Sequence, residues 1–403
     1  MTEINTDPKL IDELLTRSVD ETIDNEHLKK ALLSGKKLRI KLGIDPTSPN
    51  IHIGRAVPLL KLKDFQDLGH QIVLIVGDFT GVIGDTSDKE SERPMLTKED
   101  VTKNMQNYIE QAGKILDLEK IETHHNSEWL AKLDFGEIGR QADQFSVADF
   151  ISRENIKKRL DEGKRVSLRE VLYPLMQGYD SVAISSSVEI GGTDQRFNLL
   201  AGRRLQGEYN QEPQDIIMLN LIPGTDGRKM SSSWGNTINL LDSSRDMFGK
   251  IMSIPDELII NYFENTTRIP MEKVKEYEKQ LTEQKVNPRD LKLELALEIT
   301  KLYHGEELAK EEKNWFLDTF SKRQTPEDIP TITINEDKVN LFDLTRACFT
   351  PDEKSNSDLK RLIEQNAVSL NEKITNNPNE EISLAEEITV KIGKRNWFKV
   401  KKG

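Results

Sequence analysis

The chain has 403 residues and a net charge of −12, with 36% apolar and 31% charged residues. This length allows two or three domains, and the composition is that of a globular protein rather than a disordered or membrane-embedded one. The acidic balance excludes a protein that coats nucleic acid indiscriminately, and the single cysteine, Cys348, excludes an internal disulfide and a cysteine-rich zinc site.

The start of the sequence carries no apolar targeting segment. Residues 1–7 are acidic and polar, and no stretch reaches the roughly 18 apolar residues that a membrane-spanning helix requires. Together with the single cysteine, this pattern predicts a cytoplasmic protein with no membrane partner. From Pro8 to Ser34, apolar residues recur at helical spacing, which predicts short helices that pack against the following domain.

A strand-helix-strand unit is predicted over residues 38–77. Apolar residues alternate from Leu38 to Ile44 and form a continuous run over 73–76, and a helical pattern between them ends near Gly69. Two strands joined by a helix are parallel, so the loop after the first strand lies at the carboxyl edge of a sheet, where such sheets bind ligands.

That loop carries His52 and Arg55 on either side of Gly54, at the start of the helix. Free backbone N–H groups and the helix dipole favour an anion there, and Gly54 would let a base or ribose lie against the helix end. A histidine that only caps the helix is the alternative for His52.

The elements predicted further along the chain are a tight loop over 78–93, a helix over 97–118, several helices over 126–160, a strand over 188–190, a glycine-aspartate turn over 191–195 that leads into a helix through 205, a buried strand over 216–219 and a charged helical region over 240–320.

A second polar loop, Asp226 to Ser233, contains two cations and three hydroxyls. Alone, it has the composition of a solvated surface turn. Together, His52-Ile53-Gly54-Arg55 and Lys229-Met230-Ser231-Ser232-Ser233 resemble the paired signature motifs of class I aminoacyl-tRNA synthetases, and they are separated by about one nucleotide-binding domain's length of chain.

A helix that opens near Pro174 would place Tyr173, Gln177 and Asp180 on one face, which is either a site or a solvent-facing surface. This segment resembles the amino-acid pocket of bacterial-type tyrosyl-tRNA synthetases. The resemblance implies that Asp180 accepts a hydrogen bond from the substrate phenol, while Tyr173, Gln177 and Asp85 hold its ammonium group. Where some family members have a tyrosine that also contacts the phenol, this chain has Lys41, which either points away or pairs with Asp180.

The resemblance implies three groups of site residues. The catalytic group is Thr47, His52, Arg55, Lys229 and Ser232; the ATP-binding group is Asp45, Gly54, Gly192, Asp194, Met230, Ser231 and Ser233; the tyrosine-binding group is Gly43, Asp85, Tyr173, Gln177, Asp180 and Gln195. ATP would arrive with Mg²⁺ as a substrate complex, and neither a protein-held metal nor a tightly bound cofactor is expected. Ser232 stands where the family has a second lysine, so transition-state stabilisation should be weaker unless Arg228 or Arg55 compensates.

The predicted fold class is α/β, with a Rossmann-like parallel sheet and a helical insertion, followed by an α-helical domain and a small α+β domain. The predicted boundaries are 1–238 for the catalytic domain with its insertion at about 120–170, 239–322 for the helical domain, 323–340 for a linker and 341–403 for an S4-like RNA-binding domain. In the resembled family the insertion forms much of a dimer interface. The residues predicted to bind tRNA are Lys360, Arg361, Lys394 and Arg395.

The resemblance covers nearly the whole chain and implies a homodimeric tyrosine–tRNA ligase whose partners are L-tyrosine, ATP and tRNA(Tyr). Two other interpretations stay open. A tryptophanyl-tRNA synthetase shares both signature motifs, although Asp180 and the S4-like segment argue against it. A non-catalytic RNA-binding relative of the synthetases is compatible with the serine at position 232.

Overall fold

The structure is a computed structural model that describes residues 3–46, 48–84, 97–231, 234–321, 329–350, 354–371, 373–393 and 396–403. The chain forms two compact units, Met1–Ala309 and Lys310–Gly403. The first unit includes the predicted catalytic domain and most of the predicted helical domain. Among the helices of the described residues, none has both the length and the apolar character needed to cross a membrane.

The described part of the first unit alternates strands and helices. Its elements are α1 (Pro8–Thr16), β1 (Val19–Ile23), α2 (Asn25–Leu33), β2 (Arg39–Ile44), α3 (Ile53–Asp67), β3 (Gln71–Val76), α4 (Thr80–Ile83), α5 (Lys98–Ala112), β4 (Ile121–His125), α6 (Ser127–Leu130), α7 (Phe135–Asp143), α8 (Val147–Ile151), α9 (Glu154–Asp161), α10 (Leu168–Ala183), β5 (Val188–Gly192), α11 (Arg196–Glu208), β6 (Asp215–Leu219), α12 (Ser244–Met252), α13 (Ile259–Thr266), α14 (Met271–Thr282), α15 (Pro288–His304) and α16 (Glu306–Ser321), which crosses the boundary between the units.

Six of the described strands form one sheet in the order β1-β6-β5-β2-β3-β4. β2 pairs in parallel with both β3 and β5, β3 pairs in parallel with β4, and β5 pairs in parallel with β6. These pairings confirm the predicted strand-helix-strand unit and the α/β fold class. The chain leaves β2 on one side towards β3 and β4, then returns on the other side to β5 and β6. The point where the strand order reverses lies between β2 and β5, and open parallel sheets bind ligands at the carboxyl ends of the strands at such a point.

Two strands of this sheet were missed by the sequence prediction. β1 lies in the region assigned to short helices and pairs antiparallel with β6, and β4 lies inside the predicted helical insertion at the opposite edge of the sheet. Both are edge strands with little buried apolar surface, so they lack the alternation that marks a half-buried strand. The insertion itself is helical from α6 to α9, as predicted.

Helix α10 begins earlier than the predicted start near Pro174, which lies inside it. Ser167 and Glu170 form a capping box at the start of the helix. The buried Glu170 carboxylate also binds Arg159 of α9, with 2.5 Å between Arg159 Nη1 and Glu170 Oε2. The capping box and the buried ion pair fix the start of the helix that carries Tyr173, Gln177 and Asp180.

The described part of the second unit is mainly β structure with two short helices. Its further elements are β7 (Thr331–Ile334), β8 (Lys338–Asn340), α17 (Leu341–Ala347), α18 (Asn356–Glu364), β9 (Val368–Leu370), β10 (Lys373–Ile374), β11 (Glu381–Ser383), β12 (Ile388–Ile392) and β13 (Asn396–Lys402). One sheet has the order β10-β9-β12-β13-β7, and β8 pairs with β11 in a second.

The linker predicted over 323–340 is wrong over its last ten residues, because they contain β7 and β8. β7 pairs in parallel with the C-terminal strand β13, and Val339 of β8 is buried in the core of this unit. The β-branched Thr-Ile-Thr-Ile segment of β7 favours a strand. The prolines that precede this segment, Pro326 and Pro330, favour a linker, and for this reason the strand was not predicted.

Candidate active site

The two signature motifs lie in contact at the carboxyl end of β2, although four strands of the sheet, β3 to β6, lie between them along the chain. Ile53 N–H donates to the Ile238 carbonyl over 2.8 Å, and Leu240 N–H donates to the Ile51 carbonyl over 2.9 Å. The segment that follows the Lys229 loop therefore runs against the start of α3. These backbone bonds fix the distance between the cation-bearing loop and the N-terminus of α3.

His52 is the N-cap of α3, and its ring is neutral. Its Nδ1 accepts a hydrogen bond from Arg55 N–H over 3.3 Å, which leaves Nε2 to carry the proton. Burial, with a smaller effect of the Arg55 cation, lowers the pKa of His52 to about 3. His52 therefore caps the helix, as in the alternative left by the sequence, and its Nε2–H is a neutral donor. Arg55 supplies the charge, and its guanidinium contacts Tyr108 and Ser48.

Gly54 leaves room for protein groups as well as for a ligand. A Cβ at this position would lie 3.1 Å from His52 Nδ1 and 3.4 Å from the Met230 sulfur. The glycine therefore lets the His52 ring fold over the start of the helix and lets Met230 of the second motif approach it. Met230 is buried, so it anchors the otherwise polar loop against the first motif.

The Lys229 loop is organised by a buried asparagine that the sequence analysis did not identify. Asn236 donates to the Asp226 carboxylate over 2.8 Å and to the Lys229 carbonyl over 3.1 Å, and its Oδ1 accepts from Ser231 N–H over 2.8 Å. Lys229 itself is exposed, with its ammonium 3.7 Å from the Asp194 carboxylate. The structure thus brings together a predicted catalytic cation and a carboxylate predicted to bind ATP.

Arg228, one of the two residues proposed to compensate for Ser232, is held within the loop. Its guanidinium binds the Asp226 carboxylate at 2.5 Å and lies over the Trp234 ring at 4.9 Å from the ring centre. The bond to Asn236 and the bond to Arg228 lower the pKa of Asp226 to about 2, so this ion pair is charged at neutral pH. Compensation by Arg228 would require it to leave these partners.

Asp180 is the most deeply buried of the predicted site residues that the structure describes, with 3% of its surface exposed. Its carboxylate accepts hydrogen bonds from Trp129 Nε1 over 2.7 Å and from Asn126 Nδ2 over 3.3 Å. Burial raises the pKa of Asp180 to about 7, against the opposing effects of the nearby Lys41 cation and these two donors. A solvent-facing position for Asp180, the alternative left by the sequence, is therefore wrong.

Tyr173, on the same face of this helix, contacts the loop after β2. The Tyr173 hydroxyl donates to Asp45 Oδ2 over 2.7 Å, and Asp45 Oδ1 accepts from the Thr80 hydroxyl over 2.7 Å. Asn126 Nδ2 also donates to the Thr80 hydroxyl over 2.9 Å. A continuous chain of hydrogen bonds therefore links Asp180, through Asn126 and Thr80, to Asp45 on the predicted nucleotide side.

Gln177 and Gln195 share one partner, Asn198. Asn198 Nδ2 donates to Gln177 Oε1 and to Gln195 Oε1, each over 3.0 Å. Asn198 is fully buried on α11, so it holds both glutamines at the same wall of the site. The predicted site glycines differ in the space around them: a Cβ added at Gly43 would have no other atom within 4 Å, while one added at Gly192 would lie 2.6 Å from the Asp194 carboxylate.

Lys41 does not pair with Asp180. Its ammonium binds the Glu189 carboxylate at 2.9 Å, so Glu189 and not Asp180 is its ion-pair partner.

Several predicted residues lie outside the described residues, and they are Thr47, Asp85, Ser232 and Ser233 of the active site and Lys394 and Arg395 of the tRNA-binding group. Lys360 and Arg361 are exposed on α18, where Lys360 lies over the Phe342 ring and Arg361 binds Asp358 at 3.0 Å.

One group of potential metal ligands was found among the described residues, at the opposite end of the sheet. It consists of Asp24, His27 and Asp215, and Asp215 begins β6. His27 binds Asp215 at 2.9 Å, and Arg203 lies 3.7 Å from the same carboxylate. The bond to Asp215 raises the pKa of His27. This group lies at the amino end of β6, whereas the candidate active site described above lies at the carboxyl ends of the parallel strands.

The family described as tRNA synthetases class I (W and Y) matches residues 33–321. This range is more than half of the chain and contains both signature motifs. The chain is therefore a class I aminoacyl-tRNA synthetase of the tryptophan and tyrosine group.

Comparison with individual proteins narrows the group from tryptophan and tyrosine enzymes to tyrosine enzymes. The chain is 45% identical over 391 residues to the tyrosine–tRNA ligase of Thermotoga maritima, covering 97% of each chain. It is 46% identical over 397 residues to that of Carboxydothermus hydrogenoformans, covering 96% of this chain and 97% of the relative. The chain belongs to the family of tyrosine–tRNA ligases.

Solved structures agree on the fold. A C-terminally truncated mitochondrial tyrosyl-tRNA synthetase from Aspergillus nidulans superposes with a TM-score of 0.64 at 21% identity, covering 77% of this chain and 94% of that one. The Archaeoglobus fulgidus tyrosyl-tRNA synthetase complexed with L-tyrosine gives 0.61 at 21% identity, covering 76% of this chain and 100% of that one.

Proposed function

We propose that this protein activates L-tyrosine with ATP and transfers the tyrosyl group to the 3′ end of tRNA(Tyr). The tyrosine carboxylate attacks the α-phosphorus of ATP and expels pyrophosphate, and a ribose hydroxyl of the tRNA then attacks the tyrosyl-adenylate. The observation that carries this proposal is the buried Asp180 carboxylate, which hydrogen bonds through Asn126 and Thr80 link to Asp45 in the loop after β2. A buried carboxylate selects a ring with a hydroxyl because tyrosine adds a hydrogen bond that phenylalanine cannot donate.

In the first step the protein supplies alignment and charge. Arg55 and Lys229 would stabilise the negative charge that builds on the leaving pyrophosphate, and the neutral His52 Nε2–H would be a further donor. Asp194, whose carboxylate lies 3.7 Å from the Lys229 ammonium, and the backbone at Gly192 would bind the ribose. Mg²⁺ is a part of the ATP substrate in this proposal, and the protein's own residues hold the phosphates from the other side.

In the second step the tRNA end reaches the adenylate through a cavity of about 950 Å³ beside Asp194. Its walls include two aromatic rings and four cations, which are Phe145, Phe197, Arg153, Lys158, Arg196 and Arg204. Cations suit phosphates, and aromatic rings suit unstacked bases at a single-stranded end. The exposed Lys360 and Arg361 of the second unit would add phosphate contacts to the body of the tRNA.

The same proposal includes a homodimer in the cytoplasm. Large apolar side chains are exposed on the insertion and at the start of α10, and they are Phe135, Val147, Ile151, Leu160 and Leu168. Phe135 is 91% exposed, and single monomers rarely leave such a series uncovered. A second copy of the chain that covers this surface agrees with the dimer interface implied by the resemblance.

The test is amino-acid-dependent exchange of pyrophosphate into ATP by the purified full-length protein. We expect tyrosine alone to support exchange, because only tyrosine presents a phenol to Asp180. Exchange with tryptophan alone would establish the rival specificity, and no exchange with either amino acid would establish a non-catalytic relative.

The tyrosine dependence should vary with pH. Because burial raises the pKa of Asp180 to about 7, kcat/KM for tyrosine should rise as the pH rises through that value and level off above it. The ionised carboxylate is the stronger acceptor for the phenol hydrogen. Exchange rates at limiting tyrosine and saturating ATP measure this profile. Asp180→Asn is the control, and a wild-type inflection near pH 7 that persists in this variant would assign the profile to another group.

A further inference from the structure

Lys41 is buried behind the proposed tyrosine pocket, at the position where some members of the resembled family have a tyrosine that contacts the substrate phenol. Neither Lys41 nor Glu189 is more than 1% exposed. The Lys41 ammonium binds the Glu189 carboxylate at 2.9 Å, donates to the Gln177 carbonyl over 2.9 Å and donates to the Ser181 hydroxyl over 2.8 Å. All three hydrogens of the ammonium therefore have a partner, and two of the partners belong to α10.

The Glu189 carboxylate connects the same helix to the sheet. Its Oε1 accepts from Gln177 Nε2 over 3.2 Å, and its Oε2 accepts from the Ser181 hydroxyl over 3.0 Å and from Gln214 Nε2. Lys41 is on β2, Glu189 is on β5, and Gln214 precedes β6. The network thus joins three adjacent strands to one turn of α10, from Gln177 to Ser181, and Asp180 lies within that turn.

The stability of the fold alone does not explain why Lys41 and Glu189 form a buried ion pair. A buried ion pair costs desolvation that its attraction only partly offsets, so an apolar pair of the same volume is often at least as stable. The pair does have an effect on the pocket. The carboxamide of Gln177 is oriented by Glu189 on one side and by Asn198 on the other, and the Lys41 cation favours the ionised form of the adjacent Asp180.

We propose that Lys41 is a positioning residue of the tyrosine pocket. With Glu189 it holds the turn of α10 that presents the Gln177 carboxamide and the Asp180 carboxylate to the substrate, without contacting the substrate itself. This inference rests on the proposed function, since it concerns the same pocket. Where some family members have a second contact to the phenol, Lys41 would instead hold the turn of α10 that carries Gln177 and Asp180.

The test compares Lys41→Met with wild type in tyrosine-dependent pyrophosphate exchange. We expect KM for tyrosine to rise about 10- to 100-fold, the effect of one misplaced hydrogen bond to a charged group, while KM for ATP at saturating tyrosine changes little. A purely structural role would lower the amount of active protein and would not change KM for one substrate selectively.

Lys61→Met is the matched control. Lys61 is also buried, but its ammonium binds the carbonyls of Leu14 and Arg17, away from the pocket. A tyrosine KM in Lys41→Met that lies within about twofold of the Lys61→Met value would overturn the proposal. If Lys41→Met does not fold, Lys41→Met/Glu189→Gln removes both charges and decides the question by the same criterion.

The wild-type protein separates the two hypotheses. Absence of tyrosine-dependent exchange in the wild type would contradict the proposed function itself. Tyrosine-dependent exchange in the wild type, with an unchanged tyrosine KM in the folded Lys41 variants, would contradict only the positioning role.

Discussion

Asp180→Asn should remove most of the preference for tyrosine over phenylalanine. In the proposed complex of the wild type, the buried carboxylate gains a hydrogen bond from the phenol, and phenylalanine would leave it without that partner. Loss of this interaction should lower kcat/KM for tyrosine at least about 100-fold, while the value for phenylalanine changes far less. Pyrophosphate exchange with each amino acid in turn measures both values.

The asparagine retains the shape of the side chain and an oxygen that can accept from Trp129, so the variant should fold. Asp215→Asn is the matched control, because Asp215 is equally buried but lies at the amino end of β6. An unchanged ratio of the two kcat/KM values in Asp180→Asn would show that the ring hydroxyl is recognised elsewhere.

Lys229→Ala should slow adenylate formation about 100- to 1000-fold, the usual cost of removing one group that stabilises transition-state charge. Lys229 is exposed and close to Asp194, so it is available to meet the pyrophosphate. KM for tyrosine should change little, because the tyrosine pocket is built by other residues. Single-turnover formation of tyrosyl-adenylate measures this rate directly.

The control for Lys229 is Lys63→Ala, which removes a cation from α3 that is paired with Asp67. The electrostatic account of the reaction would be contradicted by a normal adenylation rate in Lys229→Ala. In that case the charge on pyrophosphate must be stabilised by Arg55 or by groups outside the described loop. The same assay with Arg228→Ala tests whether the loop arginine compensates for Ser232, which its bonds to Asp226 make difficult.

The sequence was most informative where local patterns coincide with the site. The alternation over 38–44, the helix from Ile53 and the apolar run over 73–76 predicted β2, α3 and β3, and with them the edge of the sheet that holds the first motif. Helical spacing likewise placed Tyr173, Gln177 and Asp180 on one face of α10. These predictions depend on neighbours within a few residues, which a single sequence does contain.

The sequence could not predict which side chains from distant segments form hydrogen bonds with the site residues. Trp129 and Asn126 bind Asp180 from the start of α6, and their spacing does not mark them as a site. Asn198 and Asn236 likewise act through buried hydrogen bonds that only the folded chain brings together. The partner of Lys41 could not be chosen either, because Asp180 and Glu189 are both carboxylates and only the geometry separates them.

The three polar residues on the face of α10 also have different partners. Tyr173 binds Asp45 at the nucleotide side, Gln177 lies between Glu189 and Asn198, and Asp180 lies deepest, beside Trp129. The partners along the helix therefore change from Asp45 in the loop after β2, which contacts Tyr173, to Trp129 at the start of α6, which contacts Asp180. This order supports a tyrosine whose carboxylate faces ATP and whose hydroxyl points inwards.

A crystal structure of the protein with L-tyrosine tests the central claim most directly. We expect the phenol oxygen within hydrogen-bonding distance of the Asp180 carboxylate and the substrate carboxylate directed towards the cleft between Arg55 and Lys229. A bound tyrosine whose ring points away from Asp180, with that carboxylate still bonded only to Trp129 and Asn126, would contradict the account.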